Sequence, residues 1–396
     1  MDAIIIGAGA AGLMSAGAAL DSGKSVLILE ANAKPGLKIL TSGGGRCNFT
    51  NRSVTPHEFV SENPHFCKSA LHQFSQDDFI QMVEEAGIPF YEKTLGQLFC
   101  QQGARAILDM LLKKIDSPDC TLVTGAKVST VSHRDGFFSV CYNDKTATAK
   151  NLIVATGGLS FPKLGATDFG YRLAKQFGHK VTKLYPALDG FLFSDSDRQR
   201  LKGLKGISIE ARLTCDRRSF TENILLTHVG LSGPAALKGS LFWSPGDQIL
   251  IDFLPAMADW HAWLDQKKRT DAKKTLLTLL SSIMSKRLAA ALLVPTKLGK
   301  KRMGDLSKAD YAQMTGLLKK FHFIPKSTAG YHKAEVTRGG VKTEEISSQT
   351  MESKQWPGLF FIGEVLDVTG LLGGYNLQWA WSSGWVSGKN LRPHGV

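Results

Sequence analysis

Gly7-Ala8-Gly9-Ala10-Ala11-Gly12 is a run whose residue types and spacing suit the grip of a pyrophosphate. It follows an apolar stretch, Ala3-Ile4-Ile5-Ile6, and opens an Ala/Leu-rich one, while Glu30 ends a second apolar stretch 18 residues after Gly12. The first glycine permits a tight turn, the second lets backbone approach a phosphate at a helix N-terminus, and the third lets helix and strand pack closely. Gly7, Gly9, Ala10, Ala11 and Gly12 are therefore expected to hold the phosphates of a dinucleotide, with Glu30 accepting hydrogen bonds from ribose hydroxyls. FAD and NAD share this ADP half, so the run by itself leaves both open.

Two further elements favour FAD. Ala155-Thr156-Gly157-Gly158 ends another apolar strand where the chain must pass close to a cofactor. Near the other terminus Gly363-Glu364 follows the strand-like Leu359 to Ile362, and Gly370 to Gly374 lead into a helix start at Tyr375-Asn376-Leu377-Gln378. That pairing resembles the second half of a glutathione-reductase-type FAD fold, in which a strand-end acid meets the ribityl hydroxyls and a helix N-terminus faces the flavin ring. Only one strand-glycine-helix fingerprint is present, so a nicotinamide cofactor, NADH or NADPH, is expected to dock transiently as electron donor. In Ser42-Gly43-Gly44-Gly45-Arg46-Cys47-Asn48, three glycines expose successive N–H groups and Arg46 adds a cation, a combination suited to phosphate or to the N1–C2 oxygen region of a reduced flavin. Cys47 reads two ways: as a catalytic proton donor whose pKa is lowered by the cation and the nest, or as a small packing residue. His228, beside the turn Val229 to Pro234, is placed either to face a substrate or to serve the turn. No His/Asp/Glu cluster has metal-ligand spacing, and no nucleophile elbow occurs.

The elements that must position these residues follow from local pattern. Residues 1–30 read as one βαβ unit, which implies a parallel sheet and a right-handed crossover. Thr55 to Ile115 is helical in pattern, and Thr121 to Tyr142 alternates as short strands around a hairpin turn at Arg134-Asp135-Gly136. Pro186 to Phe253 changes to short strands, and Asp259 to Phe321 to basic helices. The expectation is an α/β protein: a glutathione-reductase-type FAD-binding Rossmann domain made from both chain ends (residues 1–185 and 337–396). It is interrupted by a β-rich domain (186–258 plus 322–336) and a basic helical domain (259–321).

Composition narrows the setting. The 396 residues are 43% hydrophobic, enough for a sizeable core, yet no apolar run reaches the length of a membrane span. The N-terminus lacks the basic region of a secretory signal, and the six cysteines form no C-x-x-C pair, so reduced thiols and a cytoplasmic location are expected. The formal charge is +13, and it is concentrated: residues 261–336 hold 16 Lys/Arg against 5 Asp/Glu. A field of that sign attracts polyanions, with RNA, DNA and anionic lipid all eligible.

Taken together, the runs Gly36-Leu37-Lys38, Ser42 to Asn48, Thr227-His228 with Gly230 to Pro234, Gly339-Gly340-Val341, Thr350-Met351-Glu352, Gly363 to Asp367 and Gly373 to Ala380 are similar to those of the BaiN-like NAD(P)/FAD-dependent oxidoreductases. The resemblance spans nearly the whole chain and is strongest to the YhiN-type branch, the ribosomal RNA dihydrouridine synthases. It implies FAD contacts at the fingerprint residues and Glu30, and at Lys38, Gly43, Gly44, Arg46, Cys47, Val128, Ala155, Thr156, Gly157, Gly363, Glu364, Gly373, Gly374, Tyr375, Asn376 and Leu377. The usual strand-end aspartate is replaced here by Glu364, a longer arm. The implied reaction is reduction of a uridine in large-subunit rRNA by NAD(P)H through FAD, with ribosomal RNA as partner. The alternatives are a flavin oxidoreductase of a small aminoketone or enone, and a non-catalytic flavin-containing RNA-binding or ribosome-assembly factor.

Overall fold

The computed structural model describes residues 1–393. The chain divides into two compact units, one formed by residues 1–186 together with the chain from Glu335 onward, the other by Ala187–Ala334.

The first unit is built on a five-stranded parallel sheet in the order Leu359–Phe361, Asn151–Val154, β1 (Ala3–Ile6), β2 (Val26–Glu30), Cys120–Thr124. Every residue of β1 and β2 is buried, as expected of strands covered on both faces, and this is why they read as unbroken apolar runs rather than alternating ones. Pairing is in register from Ala3 opposite Val26 to Ile6 opposite Leu29, and Leu152 lies between Ile4 and Leu359. The C-terminal strand thus enters the sheet beside Asn151–Val154, which closes a domain from the two chain ends.

Helix α1 (Ala10–Leu20) connects β1 to β2 and is buried along most of its length. Its residues are mainly alanine and glycine, so another helix can approach its backbone closely. The C-terminal helix Tyr375–Lys389 does so. A Cβ on Gly384 would lie 2.5 Å from the Ala11 carbonyl oxygen and one on Gly388 2.3 Å from that of Ser15, while the Ser15 and Ser387 hydroxyls are 2.8 Å apart. Both helices advance four residues between these contacts in the same direction, so they run parallel.

The predicted helical stretch from Thr55 to Ile115 is corrected. It holds helices Cys67–Gln73, Gln76–Glu85 and Ala104–Lys114, but also strands Phe90–Glu92 and Gln97–Cys100, which pair with each other, the second also with β3 (Asn48–Asn51), in an antiparallel sheet. Strands of three and four residues carry too little alternation to be seen in sequence. The hairpin at Arg134-Asp135-Gly136 forms between Val128–Arg134 and Phe137–Tyr142, with Asp135 and Gly136 both at positive φ (52° and 80°) as a tight primed turn requires.

The second unit carries a seven-stranded antiparallel sheet. The β-rich segment and the basic helical segment share one core: Leu213, Ile224, Trp243 and Ile251 pack in the same cluster as Leu264, Leu276, Leu288, Met314 and Leu318. No helix among the described residues is long and apolar enough to cross a membrane.

Candidate functional site

At the C-terminal edge of the parallel sheet the fingerprint glycines have different tasks. A Cβ on Gly7 would lie 2.5 Å from the Ala155 carbonyl oxygen, and one on Gly12 1.9 Å from the Gly7 carbonyl oxygen. These two are therefore required by packing. Gly9, the N-cap of α1, has an ordinary φ of −82° and open space around its Cβ position, with no side chain capping the helix. Its first-turn N–H groups, beginning with Ala10 and Ala11, carry the positive end of the helix dipole into that space.

Glu30 is buried and already bound. Its Oε2 accepts from the Ala8 N–H (2.8 Å), and Oε1 accepts from the Asn32 N–H and Nδ2 (2.8 Å each). A carboxylate keeps acceptor capacity beyond three bonds, so Glu30 is oriented for a further hydroxyl rather than consumed. The Ala126 N–H bonds the Glu30 carbonyl (2.8 Å), which brings the segment leading into Val128 alongside.

Across from α1, Ala155 bonds Ile6 by its N–H (2.9 Å), and the Thr156 hydroxyl is buried with no hydrogen-bond partner among the described residues. Gly157 follows at φ 70°. Gly363 sits so close to α1 that its Cβ would be 2.9 Å from that of Ala11. Glu364 accepts from the Thr337 N–H through Oε1 (2.9 Å) and pairs with the Lys38 ammonium through Oε2 (2.6 Å). Sequence reasoning placed Lys38 and Glu364 separately at the cofactor; the structure joins them to each other. Thr337 was missed, since nothing in its local pattern announces that its backbone holds Glu364.

The C-terminal helix begins at Gly374 (φ 97°), again without a side-chain cap, and a Cβ there would strike the Thr50 carbonyl oxygen at 2.4 Å. Gly373 precedes it at φ 139°. The Asn376 amide is fastened to the loop, accepting from the Gly370 N–H (2.9 Å) and donating to the Gly370 oxygen (2.8 Å). Tyr375 stands edge-on to Phe59, and burial pushes its hydroxyl pKa up to about 12. Leu377 is half-buried. Asn51 was also missed: its amide donates to the carbonyls of Leu95 (2.9 Å) and Gly373 (3.0 Å), tying β3 to this helix start. Because Gly384 lies level with Ala11, the helix start at Tyr375 projects nine residues, ~13 Å at 1.5 Å per residue, beyond the N-terminal turn of α1. Two uncapped helix N-termini of the same polarity are thus held at a fixed offset.

In the run after Lys38, Ser42 is extended and Gly43, Gly44 and Gly45 are all left-handed (φ 57°, 66° and 83°), a concave backbone that only glycine adopts readily three times in succession. Gly44 faces open space. Arg46, expected as a fixed cation, donates to the Tyr91 hydroxyl (3.1 Å) and lies 5.7 Å from the Phe99 ring centre. The lowered pKa expected of Cys47 is reversed. Its side chain is fully buried, and desolvation pushes the thiol up to about 12 despite a hydrogen bond from Ser42. A neutral, enclosed thiol fits the packing reading of Cys47.

One further arrangement has the look of a catalytic triad: Ser353 Oγ is 2.9 Å from His179 Nε2, whose Nδ1 is 3.1 Å from Glu345. The row is buried, and Ser353 Oγ also accepts from the N–H groups of Gln355 and Trp356 (3.1 and 2.9 Å), so it closes a turn rather than presenting a nucleophile. No group of three metal-ligating side chains occurs among the described residues.

The chain matches the model of the HI0933-like protein Rossmann domain over residues 1–390. It is 44% identical over 391 residues to a protein of Escherichia coli K12, and 45% over 394 residues to one of Haemophilus influenzae, each named "Ribosomal RNA dihydrouridine synthase" and each matched over 98% of both chains. A 3-dehydro-bile acid delta(4,6)-reductase of Clostridium scindens is 29% identical over 97% of both chains. Among solved structures, a 3-ketosteroid-delta4-(5alpha)-dehydrogenase of Rhodococcus jostii superposes with a TM-score of 0.50 at 14% identity, covering 98% of this chain and 96% of that one, a likeness of fold. The parallel sheet, the glycine fingerprint and the match across nearly the entire length lead to one assignment: this chain belongs to the HI0933-like family of Rossmann-type, FAD-binding fold.

Proposed function

We propose that the protein is an FAD-dependent oxidoreductase that reduces a uridine of large-subunit ribosomal RNA to dihydrouridine, with NADH or NADPH as electron donor. The observation that carries this reading is the 44–45% identity, over 98% of both chains, to two proteins named for that reaction. Ribosomal RNA as substrate would place the protein in the cytoplasm.

The residues present fit FAD. The open space at Gly9, the partnerless Thr156 hydroxyl, and two uncapped helix starts offset by ~13 Å suit a cofactor whose pyrophosphate and ring are separated by a ribityl chain. Gly7, Gly9, Ala10, Ala11 and Gly12 would cradle the pyrophosphate, and Glu30 the ribose hydroxyls, with the backbone near Val128 beside the adenosine. Ala155, Thr156, Gly157, Gly363 and the Lys38–Glu364 pair would line the ribityl chain. Gly373, Gly374, Tyr375, Asn376 and Leu377 would present helix N–H groups to the ring, with Gly43, Gly44 and Arg46 on a neighbouring wall. Bound FAD supplies two-electron chemistry: reducing equivalents from NADH or NADPH reach uracil C6 as a hydride, and a proton added at C5 completes the saturated ring. The helix N-terminus at Tyr375 would stabilise negative charge on a ring held before it. A stacked base cannot reach the ring, so the uridine must be extruded, and cations must hold the backbone while it is.

The basic helical segment supplies such cations, although not all of those expected from sequence. Lys267 and Lys274 pair with Asp271, Lys268 donates to the Leu306 carbonyl, and Lys301 binds both oxygens of Asp310, which is held down to about 2. Arg269, Lys273, Lys297, Lys300 and Arg302 are exposed with no ion pair among the described residues. Residues 272–276 and 301–304 run side by side, with Leu276 N–H to Lys301 O and Met303 N–H to Lys274 O both at 3.0 Å, so two of these cations, Lys273 and Arg302, lie on adjoining segments.

The test is incubation of FAD-loaded protein with NADH or NADPH and rRNA from a strain lacking the gene, followed by sequence-resolved mass spectrometry. A two-hydrogen increment at one uridine is expected. Reduction of enones with no change in rRNA would instead support a small-molecule reductase, the reading favoured by the bile-acid relative.

A further inference from the structure

Thr227-His228 is singled out by sequence yet unused in the reaction above, and it borders a cavity of about 310 Å3 within the second unit. Phe193 and Leu201, both buried, form an apolar floor. Arg198, Lys202 and Lys205 line the walls and are exposed, and no carboxylate lines the cavity. Among the described residues none of the three stands in an ion pair; those of this unit engage other residues.

The histidine is held at the mouth by design of the backbone. The Thr227 N–H bonds the Gly230 oxygen (2.8 Å), and the Thr227 hydroxyl accepts from the N–H groups of Val229 (3.3 Å) and Gly230 (2.9 Å). A Cβ on Gly230 would lie 1.8 Å from the Phe191 oxygen, so the turn is fixed against the neighbouring strand. The outcome is an exposed imidazole at the apex of a rigid turn. Three cations, an apolar floor and an exposed imidazole in one recess match the parts of a nucleotide: phosphate, base face and base edge. The volume stands at the small end of ligand clefts, about 300–1,000 Å3, which suits one nucleotide and excludes a dinucleotide cofactor.

We propose that this cavity binds a single unpaired ribonucleotide of the RNA substrate, its phosphate on Arg198, Lys202 and Lys205 and its base between the apolar floor and His228. The proposal rests on the RNA reading above and adds a second contact, separate from the basic helices. The experiment uses the full-length FAD-loaded protein and a fluorescently labelled single-stranded oligouridylate, with anisotropy measured across a salt series. Replacing Arg198, Lys202 and Lys205 by Ala is expected to weaken binding at least tenfold and to reduce the slope of log affinity against log salt by about 0.7, the contribution of the one single-strand phosphate they hold. Removing one base from the oligomer should cost the parent protein about tenfold and the His228→Ala variant much less. The replaced side chains are exposed, so thermal melts should match the parent; if the triple variant fails to fold, the single Lys205→Glu variant replaces it. An unchanged affinity and slope in a folded variant, with the parent binding and reducing RNA, overturns the pocket alone. A parent that neither binds nor reduces RNA overturns the reading beneath it and the pocket with it.

Discussion

Gly9→Ala separates a glycine kept for a ligand from glycines kept for the fold. In the apoprotein two effects oppose each other. Alanine restricts the unfolded chain at a φ of −82° that it tolerates, stabilising by roughly 0.4–1 kcal/mol. It is also a poorer N-cap than glycine, by a similar amount. No atom lies within 4 Å of the new methyl, so no clash enters, and the net change in unfolding free energy should stay within about 1 kcal/mol. With the cofactor bound the same methyl occupies the space where phosphate oxygens must approach. Overpacking of that kind costs typically 1–3 kcal/mol, or roughly a 5- to 150-fold loss of FAD affinity at 1.4 kcal/mol per factor of ten. Urea denaturation of the apoprotein and flavin-fluorescence titration measure the two halves independently. FAD binding as tight as the parent's would remove the pyrophosphate from Gly9. An apoprotein weakened by several kcal/mol would mean that the open space is filled. Gly12→Ala is the contrast: a Cβ 1.9 Å from the Gly7 oxygen should prevent stable folding, read as loss of soluble protein.

Gly384→Ala pushes the C-terminal helix off α1, its Cβ meeting the Ala11 oxygen at 2.5 Å; it should lower FAD affinity about tenfold or more while leaving ADP binding nearly unchanged, because ADP needs only the α1 end. Equal losses for both ligands would contradict the division of labour between the two helix starts. Cys47→Ser should destabilise the fold by about 1–2 kcal/mol, by enclosing a hydroxyl, yet retain the reductase rate per bound flavin; a rate collapse with FAD still bound would return the thiol to the chemistry. His179 is held neutral, its pKa lowered chiefly by desolvation, so the unfolded chain binds its proton more readily than the folded one. Stability associated with this group is therefore present above its unfolded value of about 6.5 and is lost as pH falls through that value toward the folded one, and His179→Gln should flatten the melting-temperature profile in that window. Substituting Arg269, Lys300 and Arg302 together by Ala should weaken rRNA binding and flatten its salt dependence without lowering the melting temperature. By contrast, Lys301→Ala leaves the buried Asp310 carboxylate without its cation and should lower the melting temperature.

How much of this was legible in the sequence follows from the range of the forces involved. The βαβ unit was readable because its signals are local: two fully buried strands must be apolar throughout, and the turn between strand and helix must be glycine where the Ala155 and Gly7 carbonyls pass within van der Waals reach. The Arg134-Asp135-Gly136 hairpin was readable for the same reason. The antiparallel strands Phe90–Glu92 and Gln97–Cys100 were not, because each is too short to show a period and the second partner of Gln97–Cys100, β3, is supplied from more than forty residues away. For Cys47 the neighbours in sequence left two readings open, proton donor and packing residue, and burial favours the second. Arg46, the cation expected to lower its pKa, turns instead to Tyr91 and Phe99, and burial, which no local pattern reveals, decides the shift.

The basic segment marks the same boundary more finely. Lys267 stands four residues before Asp271 in the last turn of the helix Trp260–Thr270, and Lys274 three after it in the turn that follows, so both pairings are local and were open to inference from sequence. Lys301 and Asp310 are nine apart across a loop and a helix cap, and only the fold brings them together. A count of 16 cations over a segment is therefore an upper bound on the free ones a polyanion meets. The same distinction governs the cofactor crevice. Each glycine run could be recognised alone, whereas the feature that makes them one site is the parallel contact of α1 with the C-terminal helix, between residues 372 apart in the chain. That contact exists because Ala11 and Ser15 oppose Gly384 and Gly388, four small residues whose role lies wholly in what they leave out. Their substitution should accordingly disturb cofactor binding from a distance, through the offset of two helix ends rather than through any atom near the ligand.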